Sequence, residues 1–154
     1  MDERESRAWR GLHRLRADLT AHLARQLTRR CGLTEAEYAI LVHLSEAPGQ
    51  RIRSRDLCRA LRWERSRLSH QVARMQTRGT VERAPCEGDA RGFDVVLTDA
   101  GRAAIRAAAP VHLADVRHCM IDLLSPEQLD VLGDIAAIVT EHLAAEHAEP
   151  VGHG

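Results

Sequence analysis

Residues Leu57 to Leu97 read LCRALRWERSRLSHQVARMQTRGTVERAPCEGDARGFDVVL. Two helical patterns come first. One covers 55–61, with Leu57, Ala60 and Leu61 as its apolar positions and Ser54 placed to cap it. The next runs from about Arg65 to Arg78 and stops at Gly79, a residue suited to the left-handed conformation that ends helices. At 100° per residue, Leu68, Val72 and Met75 fall on one face. The opposite face carries Ser66, His70, Ala73 and Thr77, with Arg67, Ser69 and Arg74 beside it. Two strand-like runs follow, 81–84 and the alternating Phe93, Val95 and Leu97. The segment between them, Pro85-Cys86-Glu87-Gly88-Asp89-Ala90-Arg91-Gly92, is turn chemistry.

Helix, turn, arginine-rich helix and a hairpin with a basic tip make the layout of a winged helix-turn-helix. Such a recognition helix needs two faces. One packs on the preceding helix; the other carries short polar groups and arginines into a major groove. DNA binding is therefore the leading expectation.

Outward from this stretch the chain is mostly helical. A long helix is predicted over 5–30, with Trp9, Leu12, Leu15, Leu19, Leu23 and Leu27 spaced by three and four, ending at Cys31-Gly32. Thr34 and Glu37 form a capping box for a second helix, which buries Tyr38, Leu41 and Leu44 and stops at Ala47-Pro48-Gly49. Arg51-Ile52-Arg53 reads as a very short strand. Thr98 caps a fifth helix that Pro110 should kink. Ser125-Pro126-Glu127-Gln128 starts the last helix, which is expected to bury Leu129, Leu132, Ala136, Val139 and Leu143. The fold class is α+β, mostly α. Residues 34–98 form the winged helix-turn-helix domain, 1–33 and 99–148 a helical dimerisation region, and 149–154 a flexible tail. So much amphipathic helix beside a small wing domain calls for a second copy to cover it.

The 154 residues carry 22 basic and 22 acidic side chains, a net charge of zero, but the distribution is uneven. Residues 51–91 hold 11 Arg and 5 acids; residues 111–154 hold 1 Arg and 8 acids. The local field governs attraction of phosphate, so the neutral total does not exclude DNA. With 3% aromatic residues the core must be aliphatic. No apolar run is long enough to span a membrane, and the charged start lacks a secretory h-region. A cytoplasmic location follows as the expectation, with Cys31, Cys58, Cys86 and Cys119 as reduced thiols. No Ser-His-Asp motif, Walker loop, GxGxxG or HExxH is present, so an enzyme is not expected, and neither a cofactor nor a bound metal is.

The chain resembles the MarR family of winged-helix transcriptional regulators from about Trp9 to Leu143. The residues that carry the resemblance are Leu61-Arg62-Trp63-Glu64-Arg65-Ser66, Met75-Gln76-Thr77-Arg78-Gly79, Val81-Glu82-Arg83, Asp89-Ala90-Arg91 and Leu97-Thr98-Asp99-Ala100-Gly101. The resemblance implies a homodimer joined through its helices and one wing per subunit. It also implies a double-stranded, pseudo-palindromic operator and repression relieved by a small molecule, oxidant or metal. Position 64 departs from the pattern: it is Glu where the family often has Asp, and Glu caps helices less well. Ser66 is the candidate to take over that cap.

The resemblance places Arg91 at the wing tip, entering the minor groove, where an arginine suits the negative potential. Asp89 would orient it or tighten the turn. Arg67, Ser69, His70 and Arg74 are the base and phosphate candidates, together with Ser66. Arg67 lies near the helix N-terminus, where base edges are reached, and Arg74 further along suits phosphate. Arg53, Arg55 and Arg62 stand near helix starts and can hold the backbone. In the resembling family effectors often sit between the dimer helices and the winged domain. His13, Arg16, His43 and Trp63 are the candidates here, and Arg with Trp would suit a small aromatic acid. The plainer reading of Trp63 is a core residue beside the recognition helix.

Two other signals point to regulation. Cys86 lies in the wing near Arg83 and Arg91, cations that favour a thiolate, so it is a redox candidate; its plainer role is a small turn residue. Cys31, His43, His112 and His118 loosely resemble the ligand sets of zinc-sensing relatives, although His112 and His118 are six apart and fall on different helix faces. The alternative from another class is a winged-helix protein–protein adaptor. It should show an apolar patch on the exposed face of the recognition helix, which Ser66, Arg67, Ser69, His70 and Arg74 do not provide.

Overall fold

The computed structural model describes residues 1–86 and 92–148. The elements are α1 (Glu3–Cys31), α2 (Glu35–Glu46), β1 (Arg51–Arg53), α3 (Ser54–Leu61), α4 (Arg65–Thr77), β2 (Val81–Pro85), β3 (Phe93–Leu97), α5 (Asp99–Cys119) and α6 (Pro126–Ala148). Short 3-10 turns occupy Pro48–Gln50 and Ile121–Leu123. The chain falls into two compact units, Met1–Asp115 and Val116–Gly154. It is a mostly helical α+β winged helix-turn-helix with long N- and C-terminal helices.

Local chemistry accounts for most helix ends. Asp2 opens α1 with a reciprocal capping box to Glu5, so the helix begins two residues earlier than expected. Thr34 and Glu37 form the predicted box on α2. Ser125 and Gln128 exchange the same pair of bonds at the start of α6. Thr98 accepts from the Gly101 N–H as the cap of α5, which runs on through Pro110 to Cys119. One expected cap is absent: α3 begins at Ser54 itself, and the Ser54 hydroxyl instead accepts from the Phe93 N–H at 3.4 Å. The passing strand captures the oxygen that the helix would have used.

The sheet has the order β1-β3-β2, antiparallel throughout, with Ile52 and Arg83 both opposite Val95. Strand alternation turns Val95 and Leu97 into the core. There they join Leu41 and Leu44 of α2, Leu57 of α3, and Leu68, Val72 and Met75 of α4. The predicted buried stripe of α4 is thus present, with Gln71 as an additional buried member. Tyr38 is half-buried with its ring 4.6 Å from His112, while Ile40 takes a fully buried place on α2.

The wing leaves and rejoins the helical body at one knot. Thr98 donates its hydroxyl to the Gly79 carbonyl at 2.6 Å, and its N–H to the Thr80 carbonyl at 3.3 Å. Here α5 comes so close that a Cβ on Gly101 would stand 2.0 Å from the Thr80 carbonyl oxygen. Only glycine fits there, which explains the motif Leu97-Thr98-Asp99-Ala100-Gly101 physically.

The terminal helices leave much of their apolar surface uncovered in the single chain. On α1, Leu27 is buried, Leu19 and Leu23 are half-buried, and Trp9, Leu12 and Leu15 are exposed. On α6 the expected seam is not buried in the single chain: Leu129 and Leu132 are half-covered, whereas Ala136, Val139 and Leu143 are exposed. Val131, Ile135 and Ile138 are exposed as well. Helix periodicity marks an apolar face but does not say whether the same chain covers it. The expected tail, 149–154, lies outside the described residues.

Candidate nucleic-acid interface

The helix α4 sits on the core by Leu68, Gln71, Val72 and Met75 and turns Ser66, Arg67, His70, Ala73, Arg74 and Thr77 outward. The turn before it is tight: Arg62 adopts a left-handed conformation (φ 53°), and Trp63 N–H bonds back to the Cys58 carbonyl at 2.9 Å. Glu64 is the N-cap but makes no side-chain cap bond. Ser66 does not take over that role; its hydroxyl has no hydrogen bond among the described residues. The first N–H groups of α4 therefore remain open at a helix N-terminus, a place that favours anions. Arg65 and Arg67 flank it.

Each candidate side chain has a definite setting. Arg67 lays its guanidinium 4.2 Å over the Trp63 ring, so the plane is held while its N–H edge stays available. Trp63 is half-buried against the core, in line with the plainer expectation. His70 is exposed. Arg74 donates to the Gln71 side-chain oxygen, which satisfies that buried amide. Ser69 is half-buried, and Arg83 reaches it from β2. Arg55 stands 3.6 Å from Asp56, a carboxylate shared with Arg59. Arg53 is half-buried at the end of β1. Asp89 and Arg91 lie outside the described residues.

The root of the wing is an ionic cluster that sequence reading missed. Arg51 of β1 donates to Asp94 of β3 at 2.6 Å and to the Pro85 carbonyl at 3.1 Å. Burial raises the Asp94 carboxyl, but hydrogen bonds from Arg51 and Cys86 and the charges of Arg51 and Arg53 outweigh it. The group is held below the usual carboxylate range. Cys86 thus has the Asp94 carboxylate as a partner, while Arg83, expected beside it, is directed to Ser69 and Phe93. Arg78 plays a similar fastening role, donating to the buried Glu37 at 2.7 Å and to the Gly32 carbonyl at 3.0 Å. A cleft of about 220 Å³ between α3, α4 and β3 is lined by Ser54, Cys58, Arg65, Leu68, Ser69 and Phe93. Burial pushes the Cys58 thiol up, with Glu64 adding to this and Arg65 opposing it.

The effector candidates are not gathered. His13 and Arg16 are exposed on α1, and His13 lies edge-on to Trp9 at 4.9 Å. His43 donates from Nδ1 to the Ala39 carbonyl at 2.8 Å. No hydrogen bond, ion pair or ring contact among the described residues joins either His13 or Arg16 to His43 or Trp63. Among the described residues no group of three or more His, Cys, Asp or Glu side chains is placed to hold a metal ion. None of the described helices is long and apolar enough to cross a membrane.

A family model described as "MarR family" matches residues 19–92. The transcriptional regulator HosA of Escherichia coli is 31% identical over 102 residues, which are 66% of this chain and 74% of that protein. Among solved structures, AbsC, a MarR family transcriptional regulator from Streptomyces coelicolor, is 41% identical. It superposes with a TM-score of 0.88 over 94% of this chain and 97% of its own. Sco3205, a MarR family transcriptional regulator from the same organism solved in complex with DNA, is 39% identical. Its TM-score is 0.87, over 100% of this chain and 94% of its own.

Proposed function

The chain belongs to the MarR family of transcriptional regulators, and on that premise we propose that it is a sequence-specific, double-stranded-DNA-binding homodimer. It represses from a pseudo-palindromic operator in the cytoplasm and is released by a small-molecule effector. The observation that carries the reading is the outward face of α4. It presents Ser66, Arg67, His70 and Arg74 beside an uncapped helix start, and no apolar patch for a protein partner. In this reading Arg67 and His70 meet base edges, and Ser66 and Ser69 add shorter contacts. Arg53, Arg55, Arg62 and Arg74 hold phosphates, and Asp89 and Arg91 serve the wing tip. The match to Sco3205, solved with DNA, supports it.

Exposed apolar side chains support the homodimer: Trp9, Leu12 and Leu15 on α1, and Val131, Ile135, Ile138, Val139 and Leu143 on α6. The helical regions 1–33 and 99–148 are accordingly the proposed dimerisation region, and 34–98 the DNA-binding domain. The effector reading requires the dimer. His13 and Arg16 are exposed while His43 and Trp63 are half-buried, so a small aromatic acid held by all four needs a second copy to close over it.

The test is selection of bound duplexes from a random library at near-physiological salt. The expected product is a palindrome with half-sites about one helical turn apart. Binding without a consensus refutes sequence-specific reading, and no binding at low salt favours the protein adaptor.

A further inference from the structure

The wing and α4 are tied together at one side chain. Arg83 lies opposite Val95 in the β2–β3 ladder, so it projects on the face of the sheet that packs against the helices. Its Nη2 donates to the Ser69 carbonyl oxygen at 2.7 Å and lies 3.2 Å from the Ser69 hydroxyl. The same guanidinium sits 4.4 Å above the ring of Phe93, the diagonal neighbour on β3. One planar cation therefore touches both wing strands and the middle of α4. A helical carbonyl has a second lone pair, so Ser69 can accept this bond without giving up its helix partner. Arginine suits the position because its fork can donate in plane while its face stacks on the ring.

We propose that Arg83 is a positioning residue for operator binding, one that sets the angle between wing and α4 and does not itself contact DNA. The inference rests on the proposed function. A duplex has fixed groove spacing, so a reader with two contact elements binds best when their separation is set in advance. Without the clamp the wing and α4 must be ordered on the DNA, and that cost falls only on the site both must fit. A phosphate-binding arginine would behave differently, because its loss weakens every duplex and lowers the salt slope by about one per subunit, about two for the proposed dimer.

The experiment uses the full-length protein and two duplexes, the selected operator and a scrambled sequence of equal length. Affinities are measured across a range of salt for wild type, Arg83→Ala, Arg83→Lys and Phe93→Leu. Arg83→Ala should weaken operator binding by about tenfold or more, the effect of one charge-assisted hydrogen bond. It should leave scrambled-duplex affinity and the salt slope at wild-type values. Arg83→Lys should fail to restore the operator affinity, and Phe93→Leu should give a smaller loss at unchanged slope. Wild-type operator affinity in Arg83→Ala overturns the proposal. So does a slope shallower by about two, one per subunit, that Arg83→Lys restores, since that is the behaviour of a phosphate contact. Should Arg83→Ala not fold, Arg83→Lys decides alone, and wild-type affinity in it overturns the clamp. A wild-type protein that selects no consensus overturns the underlying function, and the clamp with it. That result is distinct from a wild type that selects an operator and a variant that binds it equally well.

Discussion

Replacing Gly101 by Ala is the sharpest test of how the wing is anchored. Helix propensity alone predicts a gain of roughly 1 kcal/mol from this change. The packing predicts the opposite. The new Cβ would stand 2.0 Å from the Thr80 carbonyl oxygen and 2.7 Å from Leu97 Cδ1, against 3.4 Å for ordinary contact. The start of α5 must therefore retreat from Thr80 by about 1.4 Å. The atom in the way is backbone, so no side-chain rotation relieves it. Overpacking of this kind costs about 1–3 kcal/mol. The retreat also pulls on the Thr98 bonds to the Gly79 and Thr80 carbonyls, and each bond lost adds about 1 kcal/mol. With both bonds lost and the propensity gain offset, the net loss is about 2–4 kcal/mol, which for a chain of this size lowers the midpoint by roughly 4–16 °C. Thermal unfolding followed by circular dichroism, at one fixed protein concentration because an oligomer's midpoint depends on it, reads the effect. A variant that melts within a degree of wild type, or above it, refutes the close approach and the reason given for the glycine.

Three further outcomes follow from the geometry. Arg67→Ala should relax preference at one position of each half-site by about 1–3 kcal/mol, measured by competition among single-base operator variants; equal loss on all variants would mean that Arg67 meets phosphate. The Asp94 carboxyl titrates below its unfolded value, so its contribution is complete above the unfolded pKa and disappears as pH falls through the folded one. Wild type should thus lose more stability between neutral and strongly acid pH than Asp94→Asn, by unfolding titrations at each pH; parallel curves would remove the cluster's role. Ile138→Glu combined with Val139→Glu should convert the proposed dimer to monomer in light scattering with helicity retained, because both side chains are exposed in the single chain. A dimer that persists would place the interface elsewhere.

The recognition helix was legible because its buried set, Leu68, Val72 and Met75, follows the helical period in plainly apolar residues. Gln71 belongs to the same stripe by spacing, yet its polarity disguised it; it can be buried because Arg74 donates to its oxygen. Glu37 was recognised as a capping-box acid, a role usually filled at the surface. Its burial depends on Arg78, a residue 41 positions away, which local pattern cannot foresee. Ser54 failed as a cap for a similar reason, since the N–H that claims it comes from Phe93. The seam of α6 was correct as an apolar face and wrong as a buried one in the single chain. Whether a face is covered depends on what lies beside it, and in an oligomer that neighbour does not appear in one chain's sequence.

The charge count shows the same division between composition and geometry. Eleven arginines in 51–91 invite the inference of a broad phosphate-binding surface. The fold assigns several of them other work: Arg51 to Asp94, Arg59 to Asp56, Arg78 to Glu37, and Arg83 to Ser69. Arg62 and Arg65 make no side-chain hydrogen bond or ion pair among the described residues, and Arg67 keeps its donor edge open over Trp63. On the proposed function Arg53, Arg55, Arg62 and Arg74 meet phosphate and Arg91 serves the wing tip, about five per subunit to neutralise phosphate. For a dimer the slope of log affinity against log salt should then be near −9, at about 0.9 per phosphate. If every arginine of this region acted on the DNA the slope would approach −20. A titration across salt separates the two values, and the steeper one would mean that these internal pairs break when the operator binds.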